Sequence, residues 1–172
     1  MEGLEVIDTE EVADLTEPGV ERFTTMPKET TSGLGGGAQN VRRQFQFSEE
    51  DERYLQALGL PWETLNDNGS QWLLVHGWNI PPGHDHEQAS LALLIPPNYP
   101  DSQIDMVYIR PALSRLDGHP IGALSNQAIA GASWQRWSRH RTAQNPWRPG
   151  QDDLVSHLGL VDDWLRRKFD KN

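Results

Sequence analysis

Short apolar runs separated by turn-forming residues divide the middle of the chain into three predicted strands. Gln71–Trp78 and Ala89–Ile95 are nearly continuous apolar runs, and Ile104–Ile109 is rich in β-branched and aromatic residues, which favour strands. The intervening segment 96–102 contains three prolines, which fix φ and remove backbone donors, so it predicts a rigid turn. We therefore expect a three-stranded antiparallel meander built around this turn.

One helix is predicted on each side of the meander in sequence. Ser48 is followed three residues later by Asp51, which is the Ser-x-x-acid form of a capping box, and Gly59 ends this first helix. Asp152 and Asp153 provide the negative charge that favours the start of a second helix. The core-facing stripe of that second helix is Leu154, Leu158, Val161 and Leu165.

Residues 111–149 show neither a helical nor a strand period, although they are rich in Trp, Arg, His, Gly and Ser. Segments of this length inside a domain are usually functional or disordered, and the tryptophans favour an ordered segment. We expect a long ordered loop. The predicted fold class is α+β, with an N-terminal helix, an antiparallel meander sheet, a long ordered loop and a C-terminal helix.

The first 44 residues differ in composition from the rest. They combine many acidic residues with few apolar positions and a glycine-rich run at 33–37, a composition that does not bury enough apolar surface to offset the entropy of ordering. We expect an acidic flexible N-terminal tail with a glycine-rich linker, followed by one domain at 45–172. Two short apolar pieces leave open that the tail docks on a partner.

The charge distribution narrows the functional classes. The net charge is −10, and residues 1–29 hold nine acidic against two basic residues, so most of the excess lies in the tail. This charge opposes binding to nucleic-acid phosphates. No apolar run reaches the roughly 18 residues of a membrane span, and the N-terminus has no apolar signal region. We expect a cytoplasmic protein that binds neither nucleic acid nor membrane.

The chain contains no cysteine, so disulfides, thiolate metal ligands and thiol nucleophiles are excluded. Any covalent chemistry must use oxygen or nitrogen. The candidate catalytic residues are Ser138, Arg139, His140 and Arg141, which place a hydroxyl, an imidazole and two guanidinium groups in four residues. These groups would activate an oxygen nucleophile and stabilise an oxyanion.

A structural interpretation of the same segment stays open. Trp134 and Trp137 would then be core or interface anchors, and the arginines would form a solvated or partner-binding patch. Proximity in sequence does not supply the hydrogen-bond geometry that activation of a serine requires.

A second cluster of potential ligands, His84–Glu87, lies in the turn between two predicted strands. Zinc sites normally need further ligands from elsewhere in the chain, so a solvated polar loop is the favoured interpretation. We predict no metal site and no cofactor.

The order of elements and several motifs resemble the ubiquitin-conjugating-enzyme superfamily, and most closely its bacterial branch, prokaryotic family E. The resemblance covers roughly residues 47–168. The segments that carry it are Leu60–Glu63, Ile95–Asp101, Ile104–Met106, Trp134–Arg141 and Trp147–Leu154, including the Tyr99-Pro100 corner and the Trp-x-Pro motif before the last helix.

Two departures from the family pattern bear on activity. Conjugating enzymes place a cysteine eight residues before the tryptophan of Trp-x-Pro, and in this chain that position is Arg139. Their His-Pro-Asn triplet is present only as His119-Pro120-Ile121, without the amide. A thioester relay is therefore excluded by composition.

The resemblance implies a ubiquitin-like protein, an activating-enzyme-like protein and a JAB-type peptidase as partners. Two functions remain. The chain is a platform that joins the ubiquitin-like protein to its activating enzyme, or it is a transferase in which Ser138 forms an oxyester, His140 is the base and Arg139 or Arg141 faces the oxyanion. The expected partner-binding residues are Trp134, Trp137, Tyr99 and Pro100.

Overall fold

The computed structural model describes residues 41–167, which form two helices and six strands. Residues 1–40 of the tail predicted at residues 1–44, together with residues 168–172, lie outside the described residues, whereas residues 41–44 are described. None of the helices within the described range is long and apolar enough to cross a membrane. The elements are α1 (Glu49–Ala57), β1 (Trp62–Asp67), β2 (Ser70–Asn79), β3 (Gln88–Ile95), β4 (Asp105–Arg110), β5 (Leu124–Ile129), β6 (Ala132–Trp137) and α2 (Leu154–Arg166).

The first helix is confirmed, with one change at its cap. The hydroxyl oxygen of Ser48 accepts a hydrogen bond from the amide of Asp51, as the capping motif predicts. The carboxylate of Asp51 does not complete the box, because it is buried and accepts a hydrogen bond from the Tyr99 hydroxyl at 2.9 Å instead. Asp51, the acidic residue of the predicted capping box, therefore connects this helix to the proline-rich turn.

The meander of β2, β3 and β4 is confirmed, and the sheet is larger than predicted. All neighbouring strands are antiparallel, in the spatial order β1-β2-β3-β4-β6-β5. β1 continues through Asp67, so only Asn68 and Gly69 form the hairpin turn between β1 and β2. Both have positive φ, 49° and 79°, which Asn and Gly tolerate.

The predicted long loop is corrected, since residues 111–149 contain the hairpin β5–β6. Ala130 and Gly131 form its two-residue turn, and β6 pairs with β4 on its other side. The sequence pattern does not predict β5, because the strand contains the polar run Ser-Asn-Gln and only its Ile129 is buried. The remaining segments at 111–123 and 138–153 stay outside the regular elements, apart from an isolated bridge at Arg115.

Both faces of the sheet are apolar, which explains why its central strands are continuous apolar runs rather than alternating ones. In β2, Leu73 and Val75 belong to the cluster that packs against the helices, whereas Trp72 and Leu74 belong to a second cluster on the opposite face. The largest fully buried side chain is Trp137, at the end of β6. The helix-facing core therefore depends on a strand that the sequence pattern did not predict.

The last helix closes this core. Asp153 caps α2 in a complete capping box with Ser156. The predicted stripe, Leu154, Leu158, Val161 and Leu165, is buried against the sheet.

We expect Trp137→Ala to destabilise the domain by about 3–5 kcal/mol, because a fully buried indole is replaced by a cavity. The matched control is Leu116→Ala, since Leu116 is 71% exposed and its truncation should cost less than about 0.5 kcal/mol. Urea unfolding measures both. Equal midpoints for the two variants would contradict the assignment of Trp137 to the core.

Candidate functional site

The candidate site lies where the segment after β6 crosses the start of β4. The amide of Ser138 donates to the carbonyl of Ala123 at 3.0 Å, and the amide of Met106 donates to the carbonyl of Arg139 at 3.1 Å. These bonds extend the strand pairing by about one residue on each side. The backbone of residues 138–139 is therefore held in place by hydrogen bonds to the segments on both sides.

Arg139 lies eight residues before Trp147, and its guanidinium is engaged in backbone contacts. It donates to the carbonyls of Ser138 at 3.1 Å and Gly122 at 2.9 Å, and it lies 5.3 Å from the ring centre of Trp137. Burial lowers the pKa of this guanidinium from its usual value. The group uses two of its five N–H donors to hold residue 122 against the segment after β6.

Arg141 is also a structural residue in this structure. Its side chain is only 4% exposed and forms an ion pair with Asp152 at 3.3 Å, one residue before the cap of α2. It also stacks over Trp147 at 4.8 Å. This arginine joins the candidate loop to the last helix.

His140 is the chemically available group of the segment. Its Nδ1 lies 2.7 Å from the Oδ2 of Asp105, while 55% of its side chain is exposed. A carboxylate that accepts from Nδ1–H leaves Nε2 free as a base. His140 and Arg141 line one side of a cleft of about 270 Å³, whose other side is formed by Leu160 and Trp164 of α2.

The backbone beneath this pair is strained. Met106 has a φ of 61°, a left-handed conformation that is costly for a residue with a side chain, and the β3–β4 register shifts at the same place. Its amide is bonded to Arg139, and its carbonyl accepts from Nε2–H of His157 at 2.9 Å. Met106 is thus held from both sides, directly after Asp105 in the chain.

His157 lies in the core of α2 and is fully buried. Desolvation lowers its pKa to about 4, helped by the nearby charge of Arg141, while the bond to Met106 and the charge of Asp105 act in the opposite direction. Its Nδ1 and the Oδ1 of Asp105 are buried without a hydrogen-bond partner among the described residues. The folded protein therefore holds this histidine neutral.

Ser138 is half-buried, and its hydroxyl makes no hydrogen bond to His140 in the described part of the chain. The structure thus brings His140 together with Asp105 rather than with the predicted serine. No sequence signal pointed to Asp105, because it is 35 residues away and becomes a neighbour only through the pairing of β4 with β6.

The predicted aromatic anchors are not on the surface. Trp134 and Trp137 are both buried, Trp134 in the cluster on the open face of the sheet and Trp137 in the helix-facing core. Neither ring is available to a partner in this conformation. Of the two interpretations, burial matches the structural one for these side chains.

The proline-rich corner is rigid and partly exposed. The Tyr99 hydroxyl donates to Asp51 and accepts from the amide of Leu154 at 3.0 Å, and burial raises the pKa of this phenol well above its usual value. Trp147 donates through Nε1–H to the carbonyl of Pro100 at 2.9 Å, and the Tyr99–Pro100 peptide is cis. The corner thus connects both helices with the tryptophan of the Trp-x-Pro motif.

The two remaining histidine motifs lie elsewhere. His119 is exposed next to Asp117 and does not contact the residues at 138–141. His84 is buried, unlike a residue of a solvated loop, and its Nδ1 lies 3.2 Å from the carbonyl of Pro81. Within residues 41–167, no group of three or more His, Cys, Asp or Glu side chains is arranged to hold a metal ion.

The domain has the fold of a ubiquitin-conjugating enzyme: a six-stranded antiparallel sheet flanked by two helices. It also has a Tyr-Pro corner and a Trp-x-Pro segment before the last helix. The model of the family described as prokaryotic E2 family E matches residues 47–168, and the chain belongs to this family. No curated protein and no solved structure matches the chain.

Membership of this family makes the protein an E2-like component of a prokaryotic ubiquitin-like conjugation system. Proteins of this type interact in general with a ubiquitin-like protein and its activating enzyme. This member has no cysteine anywhere in its sequence.

The lowered pKa of His157 predicts a pH-dependent stability. The unfolded histidine titrates near 6.5 and the folded one near 4, so the unfolded chain takes up a proton first as the pH falls. The free energy of unfolding should decrease by about 2 kcal/mol between pH 7 and pH 5 from this group alone.

The comparison is with His157→Gln, which retains a side-chain N–H for the carbonyl of Met106 but does not titrate. Urea midpoints at pH 7, 6 and 5 should converge for the two proteins as the pH falls, because only the wild type loses this contribution. Parallel curves over this range would contradict a buried neutral histidine.

Proposed function

We propose that the protein is a cysteine-less conjugating-enzyme-like platform that binds a ubiquitin-like protein and its activating enzyme. The observation that carries this proposal is the state of Arg139. At the position of the family's cysteine, this side chain donates to the carbonyls of Ser138 and Gly122 instead of facing an acyl group. Because the chain contains no thiol, the protein has the conjugating-enzyme fold but not the cysteine nucleophile of such enzymes.

The partner contact is assigned to the proline-rich corner rather than to the buried tryptophans. Pro97 and Pro100 are exposed, and the hydrogen bonds of Tyr99 and Trp147 hold the corner in one conformation. A surface that is already ordered loses little entropy when it binds. The cleft beside His140 provides a second exposed surface for a partner.

A JAB-type peptidase in the same system and a cytoplasmic location are part of this proposal. They rest on the resemblance to prokaryotic family E, and on the charge and composition of the sequence.

We expect Pro97→Glu to weaken the complex with the activating enzyme or the ubiquitin-like protein at least about tenfold, which is the scale of losing one central contact. Leu116→Glu is the control, because Leu116 is exposed in a different loop and should leave the affinity unchanged. Isothermal titration calorimetry measures both. Full affinity of the Pro97 variant for both partners would remove the corner from the interface.

A second candidate function is favoured by the pairing of His140 with Asp105. An exposed imidazole oriented by a carboxylate two residues from Ser138 is the arrangement of a general base. In this function the Ser138 hydroxyl attacks the activated C-terminal carbonyl of the ubiquitin-like protein, its proton passes to Nε2 of His140, and the activating group leaves. The product is an oxyester, and substrate binding must first bring the hydroxyl to the imidazole.

This candidate predicts an adduct after incubation with the activating enzyme, the ubiquitin-like protein and ATP. The adduct should resist reductant, be cleaved by hydroxylamine and disappear in Ser138→Ala. Ser133→Ala is the control, because Ser133 is an exposed serine on β6. If no adduct forms while the complex does, the transferase function fails and the platform stands.

A further inference from the structure

Three strands bring together a second serine and histidine, at the end of the sheet away from His140. The Oγ of Ser90 on β3 lies 2.8 Å from Nδ1 of His76 on β2, and Nε2 of the same ring lies 2.8 Å from Oε2 of Glu63 on β1. The side chain of His76 is 28% exposed and that of Glu63 is 13% exposed. The order serine, histidine, carboxylate is that of a hydrolase triad, with the two ring nitrogens exchanged so that Nδ1 faces the serine.

The charge around Glu63 determines which nitrogen of the ring carries the proton. Arg42 donates to Oε1 from Nε at 2.8 Å and to Oε2 from Nη2 at 3.3 Å. These bonds, with the one to His76, lower the pKa of Glu63 to about 2. An ionised carboxylate only accepts hydrogen bonds, so the ring donates through Nε2–H and its Nδ1 lone pair faces the Ser90 hydroxyl.

The backbone at His76 is shaped by a β-bulge. The register between β2 and β3 shifts between Val75 and Trp78, and Gly77 has a φ of 77°. A Cβ at Gly77 would contact only Leu60, at 3.7 Å, so the left-handed backbone and not crowding accounts for the glycine. Bulges redirect a side chain and are common next to active sites.

The side chain of Arg110 lies beside Ser90 on the neighbouring strand β4. Arg110 of β4 is the direct cross-strand neighbour of Ser90, so both side chains project from the same face of the sheet. Arg110 is exposed, and no carboxylate among the described residues forms an ion pair with it. A guanidinium in this place is suited to a negative charge that develops next to the serine oxygen.

We propose that Ser90 is a nucleophile that accepts acyl groups from carboxylic esters, with His76 as its base and Glu63 as the residue that positions the base. The Ser90 oxygen forms a bond to the ester carbonyl carbon, and the hydroxyl proton moves to Nδ1 of His76. Arg110 faces the resulting oxyanion. The alcohol then leaves with the proton from His76, and water later releases the acyl group as a carboxylic acid.

The inference is independent of the proposed platform, because neither partner protein is needed for it. It also distinguishes two serines whose sequence distance to a histidine gives the opposite impression. Ser138 lies two residues from a histidine and is not bonded to it, whereas Ser90 lies 14 residues from the histidine that it contacts.

The absence of cysteine allows a direct test of activation in the full chain. Ser90→Cys introduces a single thiol beside His76, and Ser70→Cys introduces one at a half-buried serine of β2 whose hydroxyl has no histidine partner among the described residues. If the imidazole activates position 90, its thiol should react with iodoacetamide at pH 7 at least about tenfold faster than the thiol at position 70. Adding His76→Gln should remove this advantage.

The native hydroxyl is tested with a fluorophosphonate probe, followed by peptide mass mapping. The expected adduct lies on Ser90, is absent in Ser90→Ala and forms at least about tenfold more slowly in His76→Gln and in Glu63→Gln, with circular dichroism unchanged. Labelling elsewhere only, or equal labelling of Ser90 in folded wild type and His76→Gln, would overturn the proposal. So would equal alkylation rates of the two thiol variants.

Discussion

The backbone of Met106 is the constraint on which the site depends. Its left-handed conformation is held by two hydrogen bonds, one from its amide to Arg139 and one to its carbonyl from His157. The first bond fixes the loop after β6 and the second fixes α2. Because both bonds are made by one strained residue, they join the sheet, the loop after β6 and α2 at a single point. Asp105, the residue before Met106, contacts His140 next to this point.

Local sequence patterns account for the elements that could be predicted from the sequence. The central strands and both helices were readable because their apolar runs and capping residues are local signals, and burial on both faces of the sheet makes those runs continuous. The strand β5 was not readable, since only Ile129 is buried and polar residues interrupt its pattern. The pairing of His140 with Asp105, and that of Ser90 with His76, depend on strand register, which no local pattern encodes.

The sequence did not show which contacts the side chains of the candidate loop make. Arg141 has its charge neutralised by Asp152 in a nearly buried ion pair, and Trp137 fills the core. Removing either partner of such a pair leaves an uncompensated buried charge, so these residues serve the scaffold first. Thioester chemistry requires a thiol, and this chain contains none.

The measurement that tests this account most directly is the intact mass of the protein after incubation with its activating enzyme, the ubiquitin-like protein and ATP, compared with gel filtration of the same mixture. The account predicts co-elution with at least one of the two partner proteins and an unchanged mass of the chain. A mass increase equal to the ubiquitin-like protein less one water, reversed by hydroxylamine, would contradict it and show that an oxygen nucleophile has replaced the cysteine.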